Sequence, residues 1–174
     1  LWRPPSLAKL PEMPPGESEV APWLEVLTRV TPDTETRTLL LDYMTLLVQK
    51  PDARPNWSIV MLGGQGIGKD SVWEPIRHAV GPFNCVTLSG DLIEQPYTGY
   101  MQNAHLAFVE EVKGLSPKAL NKLKAMITTP PTPLPITPKF GRMFEISKTT
   151  VLVLFPTDSE ALPLEEGDRR FFVV

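Results

Sequence analysis

Apolar residues recur along this chain in two rhythms. Over residues 23–30 and 34–49 they return at helical spacing, and the second stretch places Leu39, Leu40, Tyr43, Met44 and Leu47 on one face. Between them Thr31-Pro32-Asp33 reads as a helix stop followed by a fresh N-cap. Beyond residue 56 the rhythm changes to short, continuously apolar runs at 58–62, 85–88, 106–109 and 150–155. Runs of that length read as strands buried on both faces. Helix-forming stretches at 71–80, 91–94 and 117–127 separate them, the last with Ser116 as cap and Pro117 in its first turn. Residues 51–56 and 96–103 read as loops. Residues 128–133 are too rich in proline for a central strand, and 136–145 reads as a hairpin around Pro138-Lys139-Phe140-Gly141.

Strands alternating with helices predict an α/β fold, a parallel sheet flanked by helices, with a small N-terminal helical segment. Six prolines at positions 4, 5, 11, 14, 15 and 22 mark residues 1–22 as an extended arm or linker. The expected division is therefore an arm at 1–22, a helical segment at 23–55 and a core at 56–174. The last residues, Phe171-Phe172-Val173-Val174, read as the middle of a strand, so the expectation is a domain excised from a longer polypeptide. No internal repeat is visible.

Composition narrows the picture. At 174 residues, 42% hydrophobic and 21% charged, the chain fits one soluble domain with a sizeable core. No apolar run approaches the roughly 18–20 residues of a membrane span, and the opening Leu-Trp-Arg-Pro-Pro has no signal-peptide pattern. The single Cys85 excludes an internal disulfide framework and a cysteine metal site, and suits a small core residue in a reducing cytoplasm. A net charge of −3 argues against a basic coat for nucleic acid but leaves room for a basic patch in a channel.

The chemistry concentrates in Gly63-Gly64-Gln65-Gly66-Ile67-Gly68-Lys69-Asp70-Ser71, placed between an apolar strand and a helix. That context makes it the phosphate-binding loop of a nucleoside triphosphatase rather than a tight turn with an incidental lysine. Glycines let backbone N–H groups curl around an anionic oxygen, and the following helix points its positive end there. Lys69 brings a mobile point charge for the β- and γ-phosphates. The residue after the lysine is ordinarily Ser or Thr, a Mg²⁺ ligand. Here Asp70 intervenes and Ser71 follows. A second candidate is Glu110-Glu111 at the end of the 106–109 strand. One acid can orient Mg²⁺ and the other can accept a proton from the attacking water; the alternative is a solvated pair. His78 and His105 lack metal-ligand spacing and read as structural. Trp57 and Trp73 bracket the loop and read as core.

Together, Gly-Gly-Gln-Gly-Ile-Gly-Lys-Asp, the strand ending Glu-Glu, a lysine-bearing hairpin and the terminal Gly167-Asp168-Arg169-Arg170-Phe171-Phe172 resemble the superfamily 3 helicase domain. More closely they resemble phage and plasmid-type primase–helicases of the virus-type primase C-terminal family, over about residues 20–174. The resemblance implies an AAA+-like P-loop NTPase fold. It also implies ATP with Mg²⁺, held by Asp70 or Ser71 with Glu110, and Glu111 as the base. Arg169 or Arg170 would reach a neighbouring subunit's nucleotide. The partners it implies are single-stranded DNA, further copies of the chain in a ring, expected to be a hexamer, and a possible primase domain in the same polypeptide. The setting would be the cytoplasm of a bacterial host. By the same resemblance Lys124 and Lys139 match the motif of the DNA-facing hairpin.

One departure from the family pattern bears on rate. Where the family shows Ser-Asn after the 151–155 strand, this chain has Pro156-Thr157-Asp158, with Thr157 at the asparagine position. A threonine hydroxyl lacks the amide geometry that positions water, so hydrolysis is slow or Asp158 substitutes. Lys139, Phe140, Arg142 and Lys148 form a basic and aromatic cluster fit for a sequence-independent grip on DNA phosphates, with Phe140 either stacking on a base or propping the hairpin. Three readings follow: an ATP-driven helicase motor, an ATP-gated DNA-binding assembly module with little hydrolysis, and a small-molecule kinase, which would need a lid that is not evident.

Overall fold

The computed structural model describes residues 16–174 apart from 54, 113, 129–132, 147–149 and 166, and describes the backbone alone at Glu17, Ser18, Glu111 and Leu134. Two helices come first, α1 (Glu17–Val30) and α2 (Thr34–Gln49), followed by β1 (Ser58–Val60) and α3 (Lys69–Val80). Then come β2 (Cys85–Ser89), α4 (Gly90–Glu94), β3 (Leu106–Val112) and α5 (Pro117–Ile127). The hairpin strands β4 (Leu134–Ile136) and β5 (Phe144–Ile146) precede β6 (Val151–Pro156) and β7 (Phe171–Val173). Helix α1 starts at Glu17, six residues before the apolar periodicity begins. Pro22 is its sixth residue, in the second turn, and Gly16 at its N-cap is extended. At that position the proline removes one intrahelical hydrogen bond, and the helix continues through it. Asp33 caps α2 as expected, accepting a hydrogen bond from the Thr36 amide at 2.8 Å.

β1, β2, β3, β6 and β7 form one sheet in the order β2-β3-β6-β1-β7, every neighbouring pair parallel. The register lines up Leu88, Val109, Leu154, Val60 and Val173 in one row across all five strands. Both faces are covered, which explains why β6 is buried throughout. On one face α1, α2 and α3 enclose Leu27, Leu40, Met44, Trp73, Phe108 and Val153. On the other, α4 and α5 enclose Leu88, Val109, Leu120, Leu123 and Leu154. The sheet is thus the mixed α/β, P-loop-type arrangement that the alternation of strands and helices predicts.

Tryptophan placement follows from polar satisfaction as much as from size. Trp73 is fully buried and its indole N–H donates to the Met61 sulfur at 2.9 Å. Trp57 packs between Tyr43 and Phe172. Trp23 donates its Nε1–H to the Val72 carbonyl at 3.0 Å, bolting α1 to α3. His105 is buried, and the exposed His78 lies 3.1 Å from Glu74. Cys85 is half-buried, with its thiol pushed up to about 11 by desolvation.

Because Leu154 sits at the centre of the sheet with no exposed surface, Leu154→Ala should lower the unfolding free energy by about 3 kcal/mol. Urea denaturation measures this, and a loss of less than about 1 kcal/mol would mean the site collapses around the smaller side chain.

Candidate functional site

The chain leaves β1 still paired on both sides. Met61 N–H donates to Leu154, Leu62 N–H to Val174 and Gly63 N–H to Pro156, at 2.9, 2.9 and 3.4 Å. The loop that follows turns on glycines. Gly66 and Gly68 have φ of +79° and +99°, a conformation that disfavours any residue with a Cβ. At Gly68 a Cβ would also come within 3.4 Å of Val30 on α1, so the helical segment packs directly against the loop's end. Gly68 is the N-cap of α3 and no side chain caps that helix, which leaves its first amides facing the cleft.

Gln65, Gly66, Gly68, Lys69, Asp70, Ser71, Glu110, Phe155 and Thr157 line one cleft of about 340 Å³. Most of the residues predicted for phosphate and metal chemistry are therefore in one place. Gly63 and Gly64 form the start of the loop. Ile67 is half-exposed, and a Cβ on Gly63 would strike its Cδ1. The Lys69 side chain folds back over the loop, donating to the Gly63 carbonyl and to the Pro156 carbonyl at 3.3 Å. Burial lowers its pKa, with Asp70 acting in the opposite direction. Among the described residues no trio of His, Cys, Asp or Glu side chains could cage a metal by itself. A nucleotide-borne Mg²⁺ needs only one or two protein oxygens beside phosphate oxygens and water. Asp70, Ser71 and Glu110 offer such hard oxygen donors on the cleft wall, so the donor set fits Mg²⁺.

Glu110 and Glu111 sit at an irregularity. Val109 pairs with Leu154 but Val112 pairs with Pro156, so β3 has one more residue than β6 across this step. The resulting bulge returns Val112 to the same core face as Val109. Only the backbone of Glu111 is described, so the side chain predicted to activate water lies outside the described part of the site. Thr157 reaches the cleft. Its hydroxyl donates to Asp158 Oδ2 at 3.3 Å, while Asp158 Oδ1 accepts from the Ala161 amide at 2.7 Å. Both Asp158 carboxylate oxygens are thus engaged within its own turn.

The two C-terminal arginines lie at the opposite, amino-terminal ends of the strands, just before β7. Arg170 is gripped by Asp168 through Nε and Nη2, at 2.7 and 2.8 Å. Asp168 also takes the Lys124 ammonium at 3.1 Å, and its side chain is 4% exposed. The hydrogen bonds from Arg170 hold the Asp168 carboxyl down to about 2. Arg169 is exposed and, among the described residues, pairs with no carboxylate. It borders a cleft of about 620 Å³ with Asn56, Trp57 and Thr128. Lys124, which the resemblance assigns to the DNA-facing hairpin, is instead buried on α5. Its helical spacing beside Leu120 and Leu123 carries it into the core edge, where Asp168 neutralises it. The β4–β5 hairpin does form, and exposes Lys139, Phe140, Arg142 and Met143 at its tip, with Phe140 87% exposed. Thr98 fastens its base through the Thr137 amide and carbonyl, each at 2.9 Å. Lys148 lies outside the described residues.

Sequence reasoning missed Arg77. This residue of α3 reaches Glu110 at 3.2 Å, and its signal, an arginine seven positions after Asp70 on the same helix face, was present in the chain.

The model of the virulence-associated protein E-like domain matches residues 16–174. The chain belongs to that family. No curated protein matches it. Among solved structures it is similar to the apo structure of the NrS-1 C-terminal region (305–718), with a TM-score of 0.81 and 20% identity. That match covers 98% of this chain and 41% of the other. An A-form apo structure of the same region gives a TM-score of 0.77, again at 20% identity, covering 98% of this chain and 40% of that one. The likeness establishes a shared fold, and the chain spans about two-fifths of the region it matches.

The Asp168 cluster makes a pH prediction. The folded carboxyl titrates at about 2 against an ordinary 3.8. Its contribution to stability is complete above the ordinary value and is lost as pH falls from there toward about 2. Asp168→Asn should be less stable at neutral pH and should show a shallower loss across that acid range in thermal melts. An equally steep acid limb in the variant would refute the linkage.

Proposed function

We propose that this chain is the ATP-hydrolysing motor module of a replicative primase–helicase, working as an oligomeric ring on single-stranded DNA in the cytoplasm of a bacterial host. The observation that carries the reading is the shared cleft: a glycine loop, Lys69, the uncapped start of α3, Glu110 and Thr157 all face one space of about 340 Å³. The placement within the superfamily 3 helicases rests on the motifs and their order. Membership of the virulence-associated protein E-like family and the fold shared with the NrS-1 C-terminal region are consistent with it.

In this reading Lys69 leaves its carbonyl partners for the β- and γ-phosphates, while the loop and α3 amides bind phosphate oxygens. Asp70 or Ser71, with Glu110, would hold Mg²⁺, whose chemistry is to neutralise charge on the phosphates. Glu111, next to Glu110 on β3, accepts a proton from the attacking water. An arginine before β7 is remote from its own phosphate loop, since the strands run between them, and so acts on a neighbouring subunit. Arg169 suits that task better than Arg170, because it is exposed and pairs with no described carboxylate, whereas Asp168 already holds Arg170 through Nε and Nη2. At the hairpin tip Lys139 and Arg142 offer charge to DNA phosphates and exposed Phe140 offers a stacking surface.

A second reading, an ATP-gated assembly module with little turnover, is favoured by one contact: the Thr157 hydroxyl donates to Asp158 rather than standing free to orient water. ATP hydrolysis at several protein concentrations, with and without single-stranded DNA and alongside light scattering, separates the two. A motor shows turnover that rises more than linearly with concentration and is stimulated by DNA; binding without turnover at every concentration supports the module.

Lys69→Ala should abolish ATP binding, and Glu111→Gln should retain binding while turnover falls by about 100-fold or more. Arg169→Ala should hydrolyse as poorly as Glu111→Gln only where the wild type is assembled. Normal turnover in Glu111→Gln would remove that residue from the base role. Replacing Lys139 and Phe140 together by Ala should weaken single-stranded DNA binding and flatten its salt dependence, read by fluorescence anisotropy.

A further inference from the structure

The guanidinium of Arg77 lies behind the wall of the phosphate cleft, against two of the carboxylates that line it. Its Nη2 lies 3.2 Å from Glu110 Oε1 and 4.0 Å from Asp70 Oδ1. Its Nη1 donates to Thr87 Oγ1 at 3.1 Å. Its plane covers Phe108, with Cζ 3.6 Å from the ring centroid. The side chain is 20% exposed, so β2, β3 and α3 all hold it. Arginine suits this position because a planar fork can stack on an aromatic face and still offer several donors at its edge.

The chain has placed a carboxylate, Asp70, where a neutral hydroxyl ordinarily follows the phosphate-loop lysine. That puts Asp70 and Glu110 on a cleft that must admit a polyanion. We infer that Arg77 is a positioning residue that offsets these two carboxylates in the absence of metal, holds Glu110 at the cleft wall, and competes with the divalent cation for it. The inference rests on the phosphate-site reading above and deepens it. Without metal, Arg77 screens the approaching phosphates from Asp70 and Glu110. Mg²⁺ bound with the nucleotide would supply the positive charge that Arg77 otherwise gives, while the guanidinium stays anchored by Phe108 and Thr87.

Arg77→Met keeps an apolar chain over Phe108 and removes the charge. Titration calorimetry with ADP, in EDTA and across a Mg²⁺ series, reads the result without any turnover. The variant should bind metal-free ADP about tenfold more weakly, while half-maximal enhancement by Mg²⁺ moves to several-fold lower concentration. Arg77→Lys, which keeps the charge but loses the fork, should fall between. Equal metal-free affinity and an equal Mg²⁺ midpoint in wild type and a folded Arg77→Met overturn the inference while leaving nucleotide binding intact. Absence of ADP binding by the wild type overturns both. Should thermal melts show that Arg77→Met does not fold, Arg77→Lys decides: its Mg²⁺ midpoint must drop, and an unchanged midpoint overturns the inference.

Discussion

Parallel hydrogen-bonded register is the constraint on which the site depends. Val109, Leu154 and Val60 lie side by side on β3, β6 and β1. Everything of chemical interest in the cleft follows within a few residues of that row: Glu110 on β3, Thr157 after β6, and the glycine loop after β1. In an antiparallel sheet those three continuations would alternate between opposite edges. In a parallel one they share an edge, which is why open α/β sheets collect ligands there. The apolar side chains that lock the register therefore also fix the relative heights of the phosphate loop and the acidic strand end. A slip of one residue in β6 would exchange its two core faces as well as displace Thr157.

The same constraint explains which parts of the molecule can be read from the chain. Strands buried on both faces leave continuous apolar runs, so β1, β3 and β6 are visible as such, and the loop glycines are visible because their φ values admit little else. Local capping chemistry at Asp33 and Ser116 is legible for a similar reason: a side chain three residues from an amide decides the matter. What escapes is whatever depends on through-space charge. Lys124 carries a DNA-binding residue type in a plausible neighbourhood, yet helical phase and Asp168 bury it. The start of α1 escapes as well, because α1 docks on α3 through Trp23 and runs through Pro22, a residue that reads as part of an arm.

Three arginines illustrate how context divides one chemistry. Arg170 is engaged: a carboxylate with its side chain 4% exposed takes its Nε–Nη2 edge in the turn before β7. Arg77 is shared, with an aromatic face below and two carboxylates and a hydroxyl at its edge. Arg169 is exposed beside a cleft that its own phosphate loop cannot reach. Charge count alone ranks them as equals. What separates them is how much of the donor array is already satisfied, since a fork with satisfied donors has little to offer a developing phosphate charge.

The resting position of Lys69 links the two halves of the cleft. Its ammonium bonds the carbonyl of Pro156, the last residue of β6, and that carbonyl also receives the Gly63 amide. Both of its partners are neutral dipoles, so in the proposed function a phosphate oxygen, bearing formal charge, would displace them with a gain in attraction. Withdrawal of Lys69 then changes the hydrogen bonding at the residue immediately before Thr157. The event that seats a phosphate is thereby one peptide away from the side chain nearest the expected position of the attacking water. In this chain that side chain is a short hydroxyl tethered to Asp158, so under the proposed function occupancy of the phosphate loop and readiness to hydrolyse would meet at the end of a single buried strand.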